Sequence, residues 1–176
     1  HYSMNDGGDF YAQNIRIGNG QIIFDFVTPK ETIKDIELGV PVKINIENSI
    51  AAMAIAWLNG VSATDIKNAV ASFQGAKRRF DFWIKRDDLV MIDDYAHHPD
   101  EIKASISSVK ELYPEKKISV IFQPHLYTRT RDFAPQFAKA LSLADELILL
   151  DIYPAREEPI PGVTCLLYTS PSPRDS

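Results

Sequence analysis

The amino-acid sequence predicts an α/β protein, with a β-rich region closed by two helices and then a partial Rossmann-like region built on a parallel sheet. Three observations carry this. Two β-rich runs flank Gly18-Asn19-Gly20. Apolar residues at three- and four-residue spacing then dominate from Asn45 to Gly75. Beyond Arg79, short apolar runs alternate with helical patterns, the order that builds βαβ units.

Phe10 to Ile17 alternates apolar and polar residues, and Gln21 to Val27 is rich in β-branched and aromatic side chains. With Gly-Asn-Gly between them they predict a hairpin, because glycine and asparagine accept the positive φ of a tight turn. A third strand is expected over Ile33–Glu37. Asn45–Asn59 predicts a helix with Ile46, Ile50, Ala54 and Trp57 in its apolar stripe, stopped by Gly60. Ser62-Ala63-Thr64-Asp65 reads as an N-cap with an acidic third residue, opening a second helix that Gly75 ends. The basic stretch Ala76-Lys77-Arg78-Arg79 marks a domain join near Gly75.

Asp81–Ile84 and Leu89–Asp94 predict strands around Lys85-Arg86-Asp87-Asp88. Pro99–Leu112 predicts a helix, with Ile102, Ile106 and Val109 on one face. Ile118–Phe122 and Glu146–Leu150 read as strands buried on both faces. Asp132–Leu143 reads as the helix between them, with Pro135 tolerated in its first turn. The tail from Thr169 has no apolar periodicity and is expected to be disordered.

A composition 45% hydrophobic and 24% charged supports a sizeable core over 176 residues. The net charge of −5 argues against nucleic acid or anionic membrane as the main partner. No apolar run reaches the roughly 18 residues of a membrane span. The single cysteine, Cys165, excludes an internal disulfide and a multi-cysteine zinc site, which suits a reducing, cytosolic setting. The chain opens without Met inside a strand-like region, so it is expected to be a fragment.

The predicted strands end in polar clusters. The first leads into Asp93, Asp94, Tyr95, His97 and His98, and the second into Gln123, His125, Tyr127, Thr128, Arg129 and Arg131. The third leads into Asp151, Tyr153, Arg156, Glu157 and Glu158. Parallel strands would bring these loops to one edge, where open α/β sheets bind ligands. His97, His98 and His125 with Asp93 or Asp94 are candidate zinc or manganese ligands. Adjacent histidines usually diverge, which favours a polar pocket, and no metal site is assigned. No serine or cysteine sits on a tight turn beside a base. Arginines at 78, 79, 129 and 131 suit carboxylate or phosphate, whose two oxygens match the guanidinium fork. No G-x-x-x-x-G-K-[ST] phosphate loop is present.

Five motifs then occur in order: Asn45-Ile46-Glu47-Asn48, Gly75-Ala76-Lys77-Arg78-Arg79-Phe80, Asp93-Asp94-Tyr95-Ala96-His97-His98-Pro99, Phe122-Gln123-Pro124-His125-Leu126-Tyr127-Thr128-Arg129, and Tyr153-Pro154-Ala155-Arg156-Glu157-Glu158-Pro159. Over residues 1–164 this series resembles the Mur ligase family, and within it the UDP-N-acetylmuramate–L-alanine ligases. The resemblance implies that 1–75 closes a central ATP-binding domain and that 76–164 opens the carboxyl-terminal, amino-acid-binding domain. Residues 165–176 fall outside it and look like a non-native tail. It implies ATP, Mg²⁺ with ion ligands mainly upstream, UDP-N-acetylmuramate and L-alanine as partners, and a bacterial cytoplasmic enzyme acting through an acyl phosphate.

By motif match, Asn45 and Asn48 would line the adenine site, Arg79 would reach the phosphates, and Asp94 would hold nucleotide hydroxyls. Tyr95, His97, His125 and Arg129 would face substrate, with Arg129 pairing the alanine carboxylate. Asp94 over Asp93, and Arg79 over Arg78, are choices of register by one residue. Two positions depart from the family pattern: Ile44, usually histidine, and Leu126, arginine in some members. Three other readings stand beside this one: a murein-peptide recycling ligase of the same family, a non-catalytic nucleotide or amino-acid binding module, and a metal-dependent phosphoesterase.

Overall fold

Residues 18 to 21 make the turn that organises the first sheet. Gly18 faces Gln21 across the ladder, and Asn19 and Gly20 take φ of 51° and 72°, the two positive values a type I′ turn requires. β2 (Phe10–Gly18) and β3 (Gln21–Val27) are thereby antiparallel neighbours, flanked by β1 (Tyr2–Ser3) and β4 (Thr32–Glu37) in the order β1-β2-β3-β4. The computed structural model describes residues 1–4 and 8–169.

Ile22, Phe24 and Phe26 alternate onto the buried face of β3, where Ile33, Ile36 and Ala12 join them. α1 (Lys43–Leu58) and α2 (Ala63–Ser72) follow, and Ile46, Ile50, Met53 and Ile66 complete this core. Ser62 caps α2 as its sequence predicts: its hydroxyl accepts the Asp65 amide at 3.1 Å and donates to the Asp65 carboxylate at 2.6 Å.

β5 (Asp81–Lys85) and β6 (Val90–Asp93) form a separate antiparallel pair. β7 (Ser119–Phe122) and β8 (Glu146–Leu149) pair in parallel, with α4 (Tyr127–Leu141) as the crossover. α3 (Pro99–Leu112) begins with Pro99 at its first position, where the missing N–H costs nothing. Ile102, Ile106, Phe137, Ala140 and Leu141 form the second core, against Val120, Phe122, Leu147 and Leu149. No helix among the described residues is long and apolar enough to cross a membrane.

The chain divides into two compact units, His1–Tyr95 with Glu111–Pro114, and Ala96–Lys110 with Glu115–Ser176. β5 and β6 group with the first of these units. Three expectations change. Beyond Arg79 the described residues form one parallel ladder, that of β7 and β8, whereas β6 pairs antiparallel with β5. Only alternate residues of β7 and β8 are covered: Ile121 is 66% and Ile148 52% exposed, and a short apolar run cannot reveal which face lacks a neighbour. α4 starts five residues before Asp132, at Tyr127, and leaves helical geometry at Phe133 (φ −118°, ψ 16°). Pro135 lies just beyond that kink, having no N–H for the preceding turn.

Cys165–Tyr168, set aside in the sequence reading, forms a 3₁₀ turn. Tyr168 is buried and its hydroxyl donates to Thr130 Oγ1 at 2.9 Å. Of the tail expected to be disordered, 170–176 lies outside the described residues.

Candidate functional site

In the first unit the candidate residues cluster where β5 begins and β6 ends. Asp94 Oδ1 accepts the Phe80 amide at 3.2 Å, and the Arg78 carbonyl accepts the Tyr95 amide at 2.7 Å. Phe80 is buried, which anchors the stretch. Arg78 and Phe80 both take positive φ, 61° and 48°, a conformation that L side chains adopt rarely. The turn therefore sends neighbouring side chains to different ends. Arg78 lies over the Tyr95 ring at 5.0 Å with its Nε 3.6 Å from Asp93. Arg79 is exposed, and its guanidinium makes no ion pair or hydrogen bond among the described residues. Lys77, Arg78, Asp81, Trp83 and Asp93 line an open cleft of about 660 Å³.

An apolar cleft of about 420 Å³ lies between α1 and α2, walled by Val40, Met53, Ile66 and Phe73, with Asn45 and Asn48 beside them. Asn45 is fixed by donating to the Val40 carbonyl at 3.1 Å and accepting from Asn48 Nδ2 at 3.3 Å. Ile44, one of the two departures, is 62% exposed.

In the second unit, Glu101 reaches back over the start of α3. Its Oε2 accepts the amides of His97 at 2.9 Å and His98 at 3.1 Å. Those amide bonds, that from His97 foremost, hold the Glu101 carboxyl below the usual glutamate range. The side chains diverge: His97 Nδ1 lies 3.4 Å from Glu101, whereas His98 Nδ1 lies 3.6 Å from Asp100. The His98 ring meets Phe133 edge-on at 5.7 Å. Among the described residues no three His, Cys, Asp or Glu side chains group as metal ligands would.

The loops after β7 and β8 join residue by residue, because parallel neighbours deliver their carboxyl ends to one place. Tyr153 donates its amide to the Pro124 carbonyl at 2.8 Å and accepts the Leu126 amide at 3.0 Å. Its ring stacks on His125 at 5.5 Å and 30°. Leu126, at φ 75° and ψ 133°, starts α4 without a side-chain cap of its own. Glu157 supplies one: it accepts the Thr128 amide at 2.9 Å and also the Thr128 hydroxyl. Those two bonds, the hydroxyl first, hold the Glu157 carboxyl below its ordinary range.

Arg129 follows in the first turn of α4, half-buried and with no carboxylate in ion-pair distance among the described residues. By contrast Arg131 pairs with Asp132 at 2.7 Å on the surface. Asn45, Asn48, Arg79, Asp94 and Tyr95 thus belong to the first unit, and His97, His125 and Arg129 to the second. His125 and Arg129 share one loop and helix start, supported by Tyr153 and Glu157, which the sequence places in the third polar loop without a role of their own. Their signal in the sequence is indirect: a polar loop after each of two parallel strands.

Residues 78–163 match the family model described as Mur ligase, glutamate ligase domain. The chain is 68% identical over 163 residues to a UDP-N-acetylmuramate–L-alanine ligase of Parabacteroides distasonis, covering 93% of this chain and 35% of the relative. It is 61% identical over 166 residues to the protein of that name from Phocaeicola vulgatus, covering 94% and 36%. Among solved structures it is similar to the UDP-N-acetylmuramate–alanine ligase of Thermotoga maritima, with TM-score 0.71 and 30% identity over 85% of this chain and 33% of the other. The chain therefore spans about a third of the length of the relatives it matches.

Proposed function

The chain belongs to the Mur ligase family, and on that premise we propose that it is part of an ADP-forming UDP-N-acetylmuramate–L-alanine ligase of peptidoglycan precursor synthesis in the bacterial cytoplasm. Residues 1–75 contribute the end of the ATP-binding domain and 76–164 the beginning of the amino-acid-binding domain. ATP phosphorylates the muramyl carboxylate; the alanine amine then attacks the acyl phosphate carbon, and the resulting tetrahedral intermediate expels inorganic phosphate. Three tasks fall to protein groups: neutralising phosphate charge, holding the amino acid's carboxylate, and aligning its amine.

In this reading the apolar cleft beside Asn45 and Asn48 takes adenine, whose faces are apolar and whose edge needs amide partners. Arg79, with its guanidinium uncommitted among the described residues, reaches the phosphates. Asp94, anchored through one oxygen to Phe80, offers the other to nucleotide hydroxyls. Tyr95 in the first unit, and His97 and His125 in the second, are the further candidates for substrate contact. Mg²⁺ would neutralise phosphate charge; among the described residues no three His, Cys, Asp or Glu side chains group to hold it, so its ligands are expected mainly outside this segment.

The observation that carries the proposal is Arg129: a half-buried guanidinium on a capped helix start, without a carboxylate partner among the described residues. A planar fork in that state is complementary to an amino-acid carboxylate. The test is a hybrid ligase in which residues 1–163 of this chain replace the homologous segment of the Parabacteroides distasonis protein. Mass spectrometry should find UDP-N-acetylmuramyl-alanine as product. A product formed only with a preformed peptide would reassign the segment to a recycling ligase; nucleotide binding with no product would leave a binding module.

A further inference from the structure

We propose that Glu157 is a positioning residue for the Arg129 carboxylate site, acting by capping the helix that carries it. This rests on the alanine-ligase reading above. The first turn of a helix leaves four amide N–H groups without intrahelical partners. The N-cap residue of α4, Leu126, has no side-chain hydrogen-bond acceptor and sits at φ 75° and ψ 133°, a region that a branched side chain occupies at a cost. Its own side chain therefore caps none of the first-turn amides. Glu157, 29 residues beyond Thr128, supplies a cap by accepting the Thr128 amide and hydroxyl together.

Two consequences follow. Thr128 immediately precedes Arg129, so the bidentate contact fixes the backbone from which the guanidinium projects. The Glu157 carboxylate also occupies the electropositive helix terminus, which would otherwise compete with Arg129 for a substrate carboxylate. Tyr153, from the same loop, holds the other side of the strained residue by accepting the Leu126 amide and stacking on His125. The loop after β8 thus holds His125 and Arg129 through two side chains that need not touch substrate.

The experiment uses the hybrid ligase with Glu157→Ala, Glu157→Gln and Thr128→Val, measuring KM for alanine, KM for ATP and kcat. Loss of the cap in Glu157→Ala should raise KM for alanine about tenfold, with KM for ATP unchanged. Glu157→Gln keeps an acceptor for the amide and should restore KM for alanine to within about threefold of the parent. Thr128→Val removes only the hydroxyl bond and should fall between them. A fall in kcat with no change in KM for alanine would mean a structural role only and would overturn the proposal, as would Glu157→Gln behaving like Glu157→Ala. An unsubstituted hybrid without alanine-dependent turnover would instead overturn the alanine-ligase reading beneath it.

Discussion

Arg78 holds Tyr95 twice, through a 2.7 Å bond from the Tyr95 amide to its carbonyl and through its guanidinium 5.0 Å from the ring centre. With Asp93 at 3.6 Å, that guanidinium is committed to the protein, and Arg79 beside it is not. The two adjacent arginines should therefore respond differently to substitution.

Arg78→Ala should cost about 1 kcal/mol of stability, since an exposed cation–π contact and a surface ion pair are each small. Arg78→Gly should cost less, because glycine accepts φ of 61° without strain. Arg79→Ala should leave the melting temperature nearly unchanged and raise KM for ATP in the hybrid ligase. Thermal melts and ATP titrations of the three variants decide it. A stability loss confined to Arg79→Ala would reverse the two roles.

Arg129→Ala should raise KM for alanine by roughly 10- to 100-fold, the range set by losing a charge-assisted hydrogen-bonded pair. KM for ATP should move little. Arg129→Lys should recover only part of the loss, because a point charge cannot replace a two-pronged donor. Steady-state kinetics at saturating ATP provide the check. An unchanged alanine KM in Arg129→Ala would remove Arg129 from the carboxylate site.

Asp25 is 6% exposed and sits where two strands slip register. The Asn14 side-chain amide at 2.8 Å and then the Asp35 backbone amide at 2.9 Å hold its carboxyl below the ordinary aspartate range. A carboxyl depressed on folding adds stability that is complete above its unfolded value of about 3.9, and that stability is lost as pH falls through the lower folded value. Asp25→Ala should destabilise the chain by about 3 kcal/mol, as for a broken buried polar network. Asp25→Asn should flatten the acid limb of the stability curve. Urea melts from neutral pH down to about pH 3 would show this; an acid limb as steep as in the parent would contradict it.

Tyr113 makes the opposite prediction. Its hydroxyl is buried with no hydrogen-bond partner among the described residues, and a Cβ on Gly20 would meet that oxygen at 2.5 Å. Tyr113→Phe should be neutral or stabilising by up to about 1 kcal/mol, because it removes an unsatisfied polar atom. Gly20→Ala should destabilise by more than about 1 kcal/mol, from the clash and from φ of 72°. A clear loss of stability in Tyr113→Phe would mean that the hydroxyl is bonded in solution.

Local chemistry was legible from the residues themselves. The Asn19-Gly20 turn, the Ser62–Asp65 cap and Pro99 at the start of α3 each depend on neighbours within a few positions. What the chain order hid was non-local. A helix start at Asp132 puts Pro135 in the first turn, where it is tolerated; the actual start at Tyr127 is secured by Glu157 from another loop. The strands β7 and β8 were read as buried on both faces, whereas the exposure of Ile121 and Ile148 depends on what lies over the sheet. His125 and Arg129 were found as chemistry, but their supports at Tyr153 and Glu157 depend on a pairing between loops.

The most direct measurement is phosphate release by the hybrid ligase with ATP, Mg²⁺, UDP-N-acetylmuramate and L-alanine, each omitted in turn. Release should need both the muramyl acceptor and alanine, and in Arg129→Ala it should return only at high alanine. Release that proceeds equally without alanine, or that requires a peptide in its place, would contradict it.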